Sequence, residues 1–532
     1  MPKKESSLFL FFWIASSYDE LGNRSQITSS LGAKIDVACN EMGNVSQITA
    51  SRSEQKNWTA SMQYNELGQE IERILPGDVI SKWQYDVAGR PTHHRISSQG
   101  RHTRRRVYNW DVNHRLRSMV NELTGVKVTF GYDEFSNLVW SNLGGQFDFL
   151  HRSVDDVGNL YETKEKTDRV YGTGSRLLET REATFTYDDE GNLIQKVEKN
   201  GDTWKYEYKG NGMMSKVIRA DNTEVTFKYD SMGRRIEKSF EGKTTHFVWD
   251  DNTILHEWSE GGYTCEFSIT NTSTNNANSY PNNLVTWIFE PNTFIPSAKI
   301  TSEGNYSIIS DYLGTPVEAY DMEGKQVWSS ELNIYGRAKE FTGENDFVPF
   351  RYQGQYEDAE TGLYYNRFRY YSPSEGIYTQ VDPIGLAGNN PTLYGYVSNT
   401  NIWVDPLGLI NWSDILRKSG IPMPPGLTNP HGHHIVFKGF FKGEKGQIIK
   451  ESKKILEKYN IDVVHDRSNL MWASNTEGVH TKANAKKVLR GLQRVDKVLQ
   501  NRMAKGLINE TVAQAMMKDK LQSIGKIVFC KY

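Results

Sequence analysis

From residue 18 to about residue 250 the chain alternates apolar and polar positions in short runs, and each run ends in a turn signal. The stretches "ATFTYDDEGNLIQKVEKNG" (183–201) and "TEVTFKYDSMGRRIEKSF" (223–240) show the unit. Alternation leads into Asp-x-x-Gly followed by Asn or Arg, and then alternation resumes. A period of two belongs to a half-buried strand, and the glycine supplies the positive φ of a tight turn at little cost. Each unit is predicted to be a β-hairpin that cannot bury its apolar face alone, so that stacked units form a long sheet.

The units repeat. "YDELGN" at Tyr18 returns as "CNEMGN" at Cys39, "YNELGQ" at Tyr64, "YDVAGR" at Tyr85 and "YDEFSN" at Tyr132. It returns again as "VDDVGN" at Val154, "YDDEGN" at Tyr187 and "YDSMGR" at Tyr229, with degenerate copies read at Tyr108 and Tyr208. In such an array Tyr, Asp and Gly are read as architecture and not as a binding site. The amino-terminal "MPKKESSLFLFFWIASS" has the texture of a short signal peptide. It also reads as a buried strand over Leu8–Ile14, and the repeat that begins at Tyr18 favours the strand.

Composition narrows the picture. The chain of 532 residues, with 28 Tyr and 13 Trp, is ordered, β-rich and too long for one small core. Cys39, Cys265 and Cys530 give no zinc spacing and no disulfide framework. No stretch is long and apolar enough to span a membrane. The overall charge of −2 hides an asymmetry: residues 410–532 carry 22 Lys+Arg against 10 Asp+Glu, a net of +12, which leaves −14 for residues 1–409. A basic tail behind an acidic body points to polyanion binding by the tail.

The array resembles the YD-repeat, or RHS-repeat, family. The resemblance continues through "DYLGTPVEAYDMEGKQVWSSELNIYGR" (311–337) and "RYQGQYEDAETGLYYNRFRYYSPSEGIYTQVDPIGLAGNNPTLYGYVSNTNIWVDPLGL" (351–409), which look like the core that closes the repeats. It implies a hollow β-shell of repeats over 1–250, a core over 251–409, a linker over 410–430 and a polymorphic cargo over 431–532. It also implies self-cleavage after the second Asp-Pro-x-Gly motif, between Leu409 and Ile410. Asp382 of "DPIGL" and Asp405 of "DPLGL" are the matching pair, with Arg367 or Arg369 as charge partner. Two neighbouring carboxylates share a proton, so one serves as base towards water and the other as acid. Without the resemblance, Asp-Pro-x-Gly is a turn that ends a strand.

The tail has another texture. "HHIVFKG" reads as a strand, and "EKGQIIKESKKILEKYN" as a helix with Ile448, Ile449, Ile455 and Leu456 on one side, closed by Asn460. "IDVVHDRSNLMWASN" is extended, and "HTKANAKKVLRGLQRVDKVLQNRM" and "ETVAQAMMKDKLQSIG" are helices. The expected fold is thus an all-β shell followed by a small α+β domain. The order Gly432-His433-His434, Asn469-Leu470 and His480 resembles the Gly-His-His group of the HNH nucleases, a ββα-metal fold. Phosphodiester hydrolysis needs an attacking water, a counter-charge for the pentavalent phosphate and a proton for the leaving oxygen. Neighbours on a strand point to opposite sides, so one histidine of the pair is placed to ligate metal and the other to reach water. By resemblance His433 and His480 are ligands of one divalent ion (Mg2+ or Mn2+, with Zn2+ as the alternative). His434 is then the general base and Asn469 orients its imidazole. Asn484 lies one helical turn beyond His480. Lys482, Lys486, Lys487 and Arg490 are candidates for flanking phosphates.

The function implied is an exported toxin of interbacterial competition, acting in the target-cell cytoplasm on nucleic acid, DNA in preference to RNA. It implies a cognate immunity protein and leaves the delivery machinery open. The competing readings are a cell-surface adhesion protein on a YD-repeat shell with an inactive tail, and a ribonuclease tip.

Overall fold

The computed structural model describes residues 12–524, except for the segments 262–280, 386–391, 410–429, 438–442, 464–468, 475–480 and 506–509 and some shorter stretches. Two long antiparallel sheets dominate. The first has 13 strands, from Ile14–Tyr18 to Phe149–His151, and the second has 16, from Arg169–Tyr171 to Ala338–Thr342. Every strand pairs with its neighbour in sequence, so each sheet is a plain meander. The second sheet runs through residue 250 without a break: Lys243–Asp250 pairs with Thr253–Gly261.

The repeat signature has a physical meaning at each turn. The Asp86 carboxylate accepts the amides of Ala88 and Arg90 at 2.9 and 3.0 Å, and Arg90 Nε closes the loop on the same carboxylate at 2.7 Å. Gly89 stands at φ +78°. The register slips by one residue immediately before the tyrosine, as between Gln84 and Tyr85 and between Lys228 and Tyr229. This bulge re-aims the ring, and the phenol donates to a carbonyl of the preceding repeat. Tyr64 reaches Val45, Tyr85 reaches Glu70, Tyr208 reaches Leu193 and Tyr229 reaches Met214, all within 2.7–2.9 Å. Aspartate thus builds the turn, and tyrosine ties it to the turn before.

One copy is displaced from its expected place. Tyr108 is buried at 2 % exposure within a strand. Trp110 takes the tyrosine position: its indole donates to Pro91 O at 2.7 Å, and Asp111 caps the turn that ends at Arg115. Trp249 does the same towards Arg235 O. Of the strand expected at Leu8–Ile14, residues 8–11 lie outside the described residues, and Trp13 is largely exposed.

The two sheets meet through side chains at the turns and strand ends. Arg24 pairs with Asp250 at 2.6 Å, the Ser29 hydroxyl meets His256 Nε2 at 2.7 Å, Trp58 Nε1 donates to Ser307 Oγ at 2.9 Å, and Arg104 and Arg106 both reach Glu331. An apolar cluster shared by both sheets holds this seam, with Ile48, Trp58, Ala60 and Val79 from the first sheet and Ile288, Ala298, Ile309 and Tyr320 from the second.

The chain then forms a small four-stranded sheet, Tyr356–Asp358, Leu363–Asn366, Arg369–Ser372 and Ile377–Tyr378. It packs into the second large sheet through an ion pair, Arg235 to Asp358, with both partners fully buried. The Arg235 guanidinium also lies 4.4 Å from the Tyr365 ring. Stacked tyrosines, including Tyr352, Tyr371, Tyr378 and Tyr396, fill the other side.

The tail folds around its own core. A ribbon pairs Pro430–His434 with Leu470–Ser474, and the helices Gly443–Glu457 and Lys482–Ala504 pack against each other through Ile448, Ile455, Leu489 and Leu492. The first helix runs on into a turn at Asn460, whose φ is +51°, as the sequence predicts. Ala513, Met517 and Leu521 of the predicted third helix are buried in the same core. Among the described residues, no helix is long and apolar enough to cross a membrane.

Trp58 bridges the two large sheets with no exposed surface. Trp58→Ala is expected to destabilise the sheet pair by about 3–5 kcal/mol. Leu67→Ala, at an exposed turn tip, is expected to change stability by less than about 0.5 kcal/mol. Urea titration followed by far-ultraviolet circular dichroism compares the two.

Candidate functional site

The four-stranded sheet assembles a centre in which one guanidinium joins two carboxylates. Arg369 Nη2 lies 3.1 Å from Asp382 Oδ2 and 3.4 Å from Asp405 Oδ2. All three side chains are about 1 % exposed. Arg369 also donates through Nε to Gly408 O at 2.5 Å and through Nη1 to Leu393 O at 3.2 Å, and its plane lies 3.6 Å from the Tyr378 ring centre. Of the two arginines considered from sequence, Arg369 is therefore the partner. Arg367 turns away to Asn252 and to the carbonyls of Met232 and Gly233.

Asp405 reaches the end of the core directly, because its Oδ1 accepts the Leu409 amide at 2.8 Å. Its Oδ2 accepts the Tyr378 hydroxyl at 2.9 Å, and its own amide donates to the Tyr396 hydroxyl at 3.2 Å. Asp382 Oδ1 accepts the Ile384 amide at 3.0 Å. Burial pushes the Asp405 carboxyl up to about 6, opposed by Arg369, Tyr378 and the Leu409 amide, and the neighbouring Asp382 charge adds to the rise. Burial also raises Asp382, with Arg369 and the Ile384 amide opposing. A carboxylate poised near neutrality in a water-poor site is suited to proton transfer. Ile410, on the far side of the expected cut, lies outside the described residues. Asn366, Tyr378 and Tyr396 complete the centre and were not singled out from sequence. Asn366 sits in the dense aromatic run "YYNRFRYY", and Tyr378 and Tyr396 lie in the tyrosine-rich segments that follow, all of which read equally well as core.

In the tail the structure places the backbone of the candidates. His433 pairs with Met471 and His434 with Leu470 across the ribbon. The side chains of His433 and His434, and all of His480, lie outside the described residues. Two contacts bring the carrier segments to one corner. The Lys445 ammonium lies 5.6 Å from the Phe437 ring, just beyond the histidine strand, and Glu444 on the same helical turn pairs with Lys482 and Lys486 at the start of the last helix. Thr481 caps that helix by accepting the Asn484 amide at 3.2 Å. Imidazole donors suit a borderline divalent ion such as Zn2+, whereas Mg2+ and Mn2+ prefer oxygen donors and would take the remaining positions from water and phosphate.

Asn469 makes main-chain contacts that the sequence reading did not include. It is fully buried, and its amide Nδ2 donates to Val436 O at 3.0 Å and Val463 O at 2.6 Å, while Oδ1 accepts the Val436 amide at 2.8 Å. Both donors are committed to main chain, so Asn469 braces the strand that carries His434. Lys482 and Lys486 share Glu444, whose carboxyl they hold down at about 2, while Lys487 and Arg490 point to solvent. The Glu444 pairs are exposed and are given up readily to a stronger anion.

The meander of tied turns with a tyrosine-rich closing sheet defines a YD-repeat shell protein. Residues 40–390 match the model of the Teneurin YD-shell family, and the chain belongs to that family. It is 28 % identical over 373 residues to the double-stranded DNA deaminase toxin A of Burkholderia cenocepacia (strain H111), covering 66 % of this chain and 26 % of that protein. It is 25 % identical over 376 residues to a protein of Dickeya dadantii (strain 3937) named "Probable deoxyribonuclease RhsA", covering 66 % and 24 %. The chain thus spans about a quarter of the length of these curated relatives. Among solved structures it resembles the complex titled TcdB2-TccC3-Cdc42, with a TM-score of 0.53 and 17 % identity, covering 76 % of this chain and 22 % of that one, a likeness of fold. The family match ends at residue 390, before Asp405 and the tail.

Gly408 carries a steric constraint: it stands at φ +68°, and a Cβ there would meet Asn366 O at 2.6 Å. Gly408→Ala is expected to cost about 2–3 kcal/mol, against about 1 kcal/mol for Gly362→Ala. Gly362 has the same φ and nothing within 4 Å. Scanning calorimetry of both variants checks the difference as a larger fall in melting temperature for Gly408→Ala.

Proposed function

We propose that this chain is part of an exported polymorphic toxin, in which the YD-repeat body carries a C-terminal nuclease and the core releases it by cutting itself after Leu409. The observation that carries the reading is the grip of the Asp382–Arg369–Asp405 centre on Gly408 O and the Leu409 amide, at the junction of core and tail. In the cut, a water oxygen bonds to the Leu409 carbonyl carbon while one carboxylate takes the water proton. The bond to the Ile410 nitrogen then breaks, and that nitrogen leaves with a proton from the acid pair. Arg369 holds both carboxylates in place and keeps the segment's backbone against them.

The tail's reading rests on the pairing of the histidine strand with Leu470–Ser474, across the intervening helix Gly443–Glu457, and on the capped helix that begins just after His480. His433 and His480 would hold one divalent ion. When bound, that ion supplies the counter-charge for the phosphate and a proton source for the leaving oxygen. His434 takes the proton of the attacking water, Asn469 braces its strand, and Lys487, Arg490 and the displaced Lys482 and Lys486 hold flanking phosphates. Zinc deaminases use a Pro-Cys-x-x-Cys pair, and the tail's sole cysteine is Cys530, so hydrolysis of the backbone is favoured over deamination. The relatives' names, a DNA deaminase toxin and a deoxyribonuclease, support a nucleic-acid target that varies between tails on one kind of body. The net charge of +12 on 410–532 agrees with a polyanion substrate. The proposal includes an immunity protein that covers the tail in the producing cell.

Plasmid DNA and total RNA incubated with the chain, with and without EDTA, test the tail. DNA cleavage that EDTA abolishes is expected. His434→Ala is expected to lose about 10²–10⁴-fold in rate while retaining metal affinity, and His433→Ala and His480→Ala to regain activity at high manganese. Cutting of RNA alone would make it a ribonuclease, and no cutting of either would favour an adhesion body with an inert tail.

A further inference from the structure

The release reading leaves open what keeps Asp405 ionised in a site this buried, and the hydrogen-bond network around Tyr378 answers it. Asn366 Nδ2 lies 2.9 Å from the Asp405 main-chain carbonyl and 2.7 Å from the Tyr378 hydroxyl. A carbonyl only accepts, so the amide nitrogen faces it, and the orientation of Asn366 is fixed by chemistry. Its second hydrogen then enters a lone pair of the Tyr378 oxygen. With that lone pair filled, the phenol's own hydrogen is directed at Asp405 Oδ2, 2.9 Å away. The phenol is held from its face as well, because the Arg369 guanidinium stacks on it at 3.6 Å.

We infer that Tyr378, oriented by Asn366, is a positioning residue for self-cleavage: it aims a fixed hydrogen bond at Asp405 and holds that carboxylate in the ionised form that accepts the water proton. The inference rests on the release reading. The groups facing Asp405 are Arg369, Asp382, Tyr378, Tyr396 and the Leu409 amide. Arg369 is shared with Asp382, and Tyr396 meets the Asp405 amide nitrogen, not the carboxylate. The donors to the carboxylate that belong to Asp405 alone are thus the Leu409 amide, which moves with the bond to be cut, and Tyr378, which does not. A hydrogen bond to the charged form of an acid lowers its pKa, so loss of the phenol hydrogen raises that of Asp405. The sign is fixed: the acid limb of the cleavage rate moves to higher pH.

The test uses the full chain made by cell-free synthesis, exchanged on ice into buffers from pH 5 to 9, with the cleaved fraction followed on gels. Tyr378→Phe keeps the ring under Arg369 and removes only the hydroxyl. Its acid limb is expected about one pH unit above that of the wild type, with a rate about tenfold lower at the low-pH end and close to wild type at pH 9. Asn366→Ala frees the phenol and is expected to shift the limb in the same direction. It decides the matter if Tyr378→Phe fails to fold by circular dichroism. A Tyr378→Phe profile lowered equally at every pH, or unchanged, overturns the positioning role while leaving the release reading intact. A wild type that stays whole at every pH overturns the release reading, and this inference with it.

Discussion

A single guanidinium in a dry site sets the terms for the end of the body. Arg369 faces two carboxylates that burial would otherwise drive to their neutral forms, and it also binds the carbonyl of Gly408. A buried charge is tolerated only with partners in good geometry, so the strands that supply those partners must be in register. Leu363–Asn366 and Arg369–Ser372 pair Asn366 directly with Arg369, and Ile377–Tyr378 brings the phenol alongside. The small sheet is itself anchored by Arg235 and Asp358 to the second large sheet. That sheet packs on the first through a shared apolar core. The geometry at Leu409 therefore depends on contacts that run back through the whole body.

The fold was legible where local chemistry repeats. Asp-x-x-Gly turns and alternating flanks predict hairpins, and the structure adds why tyrosine precedes the aspartate: the phenol bonds back to the previous repeat. The copy at Trp110 escapes the pattern because an indole donates as a phenol does, and a tyrosine two residues earlier masks it. The seam between the two sheets was not legible, since alternation marks which face of a strand is buried but not which distant turns it meets. At the candidate site, both aspartates and one of two arginines could be picked from the sequence. Tyr378 and Asn366 could not, because a tyrosine in an aromatic-rich segment looks like packing until its hydroxyl is seen to point at a carboxylate. The main-chain bonds of Asn469 to Val436 and Val463 were equally illegible. A sequence does not show which acceptor an amide finds.

Body and tail are built on different principles and, among the described residues, share no core. The body gains its stability from contacts far apart in sequence, and the tail from two packed helices and a ribbon. The segment between them, 410–429, follows directly on the residue that Asp405 holds. Charge separates them too, with a net of −14 up to Leu409 and +12 beyond it. A cut at this junction would free a basic domain from an acidic one and leave both cores whole, as the proposed release requires.

The most direct test of this account is intact-mass analysis of the purified full-length chain, with sequencing of any new amino terminus. The account predicts two species, one ending at Leu409 and one beginning at Ile410. A single species of full-length mass, or a new terminus elsewhere in the chain, would contradict it.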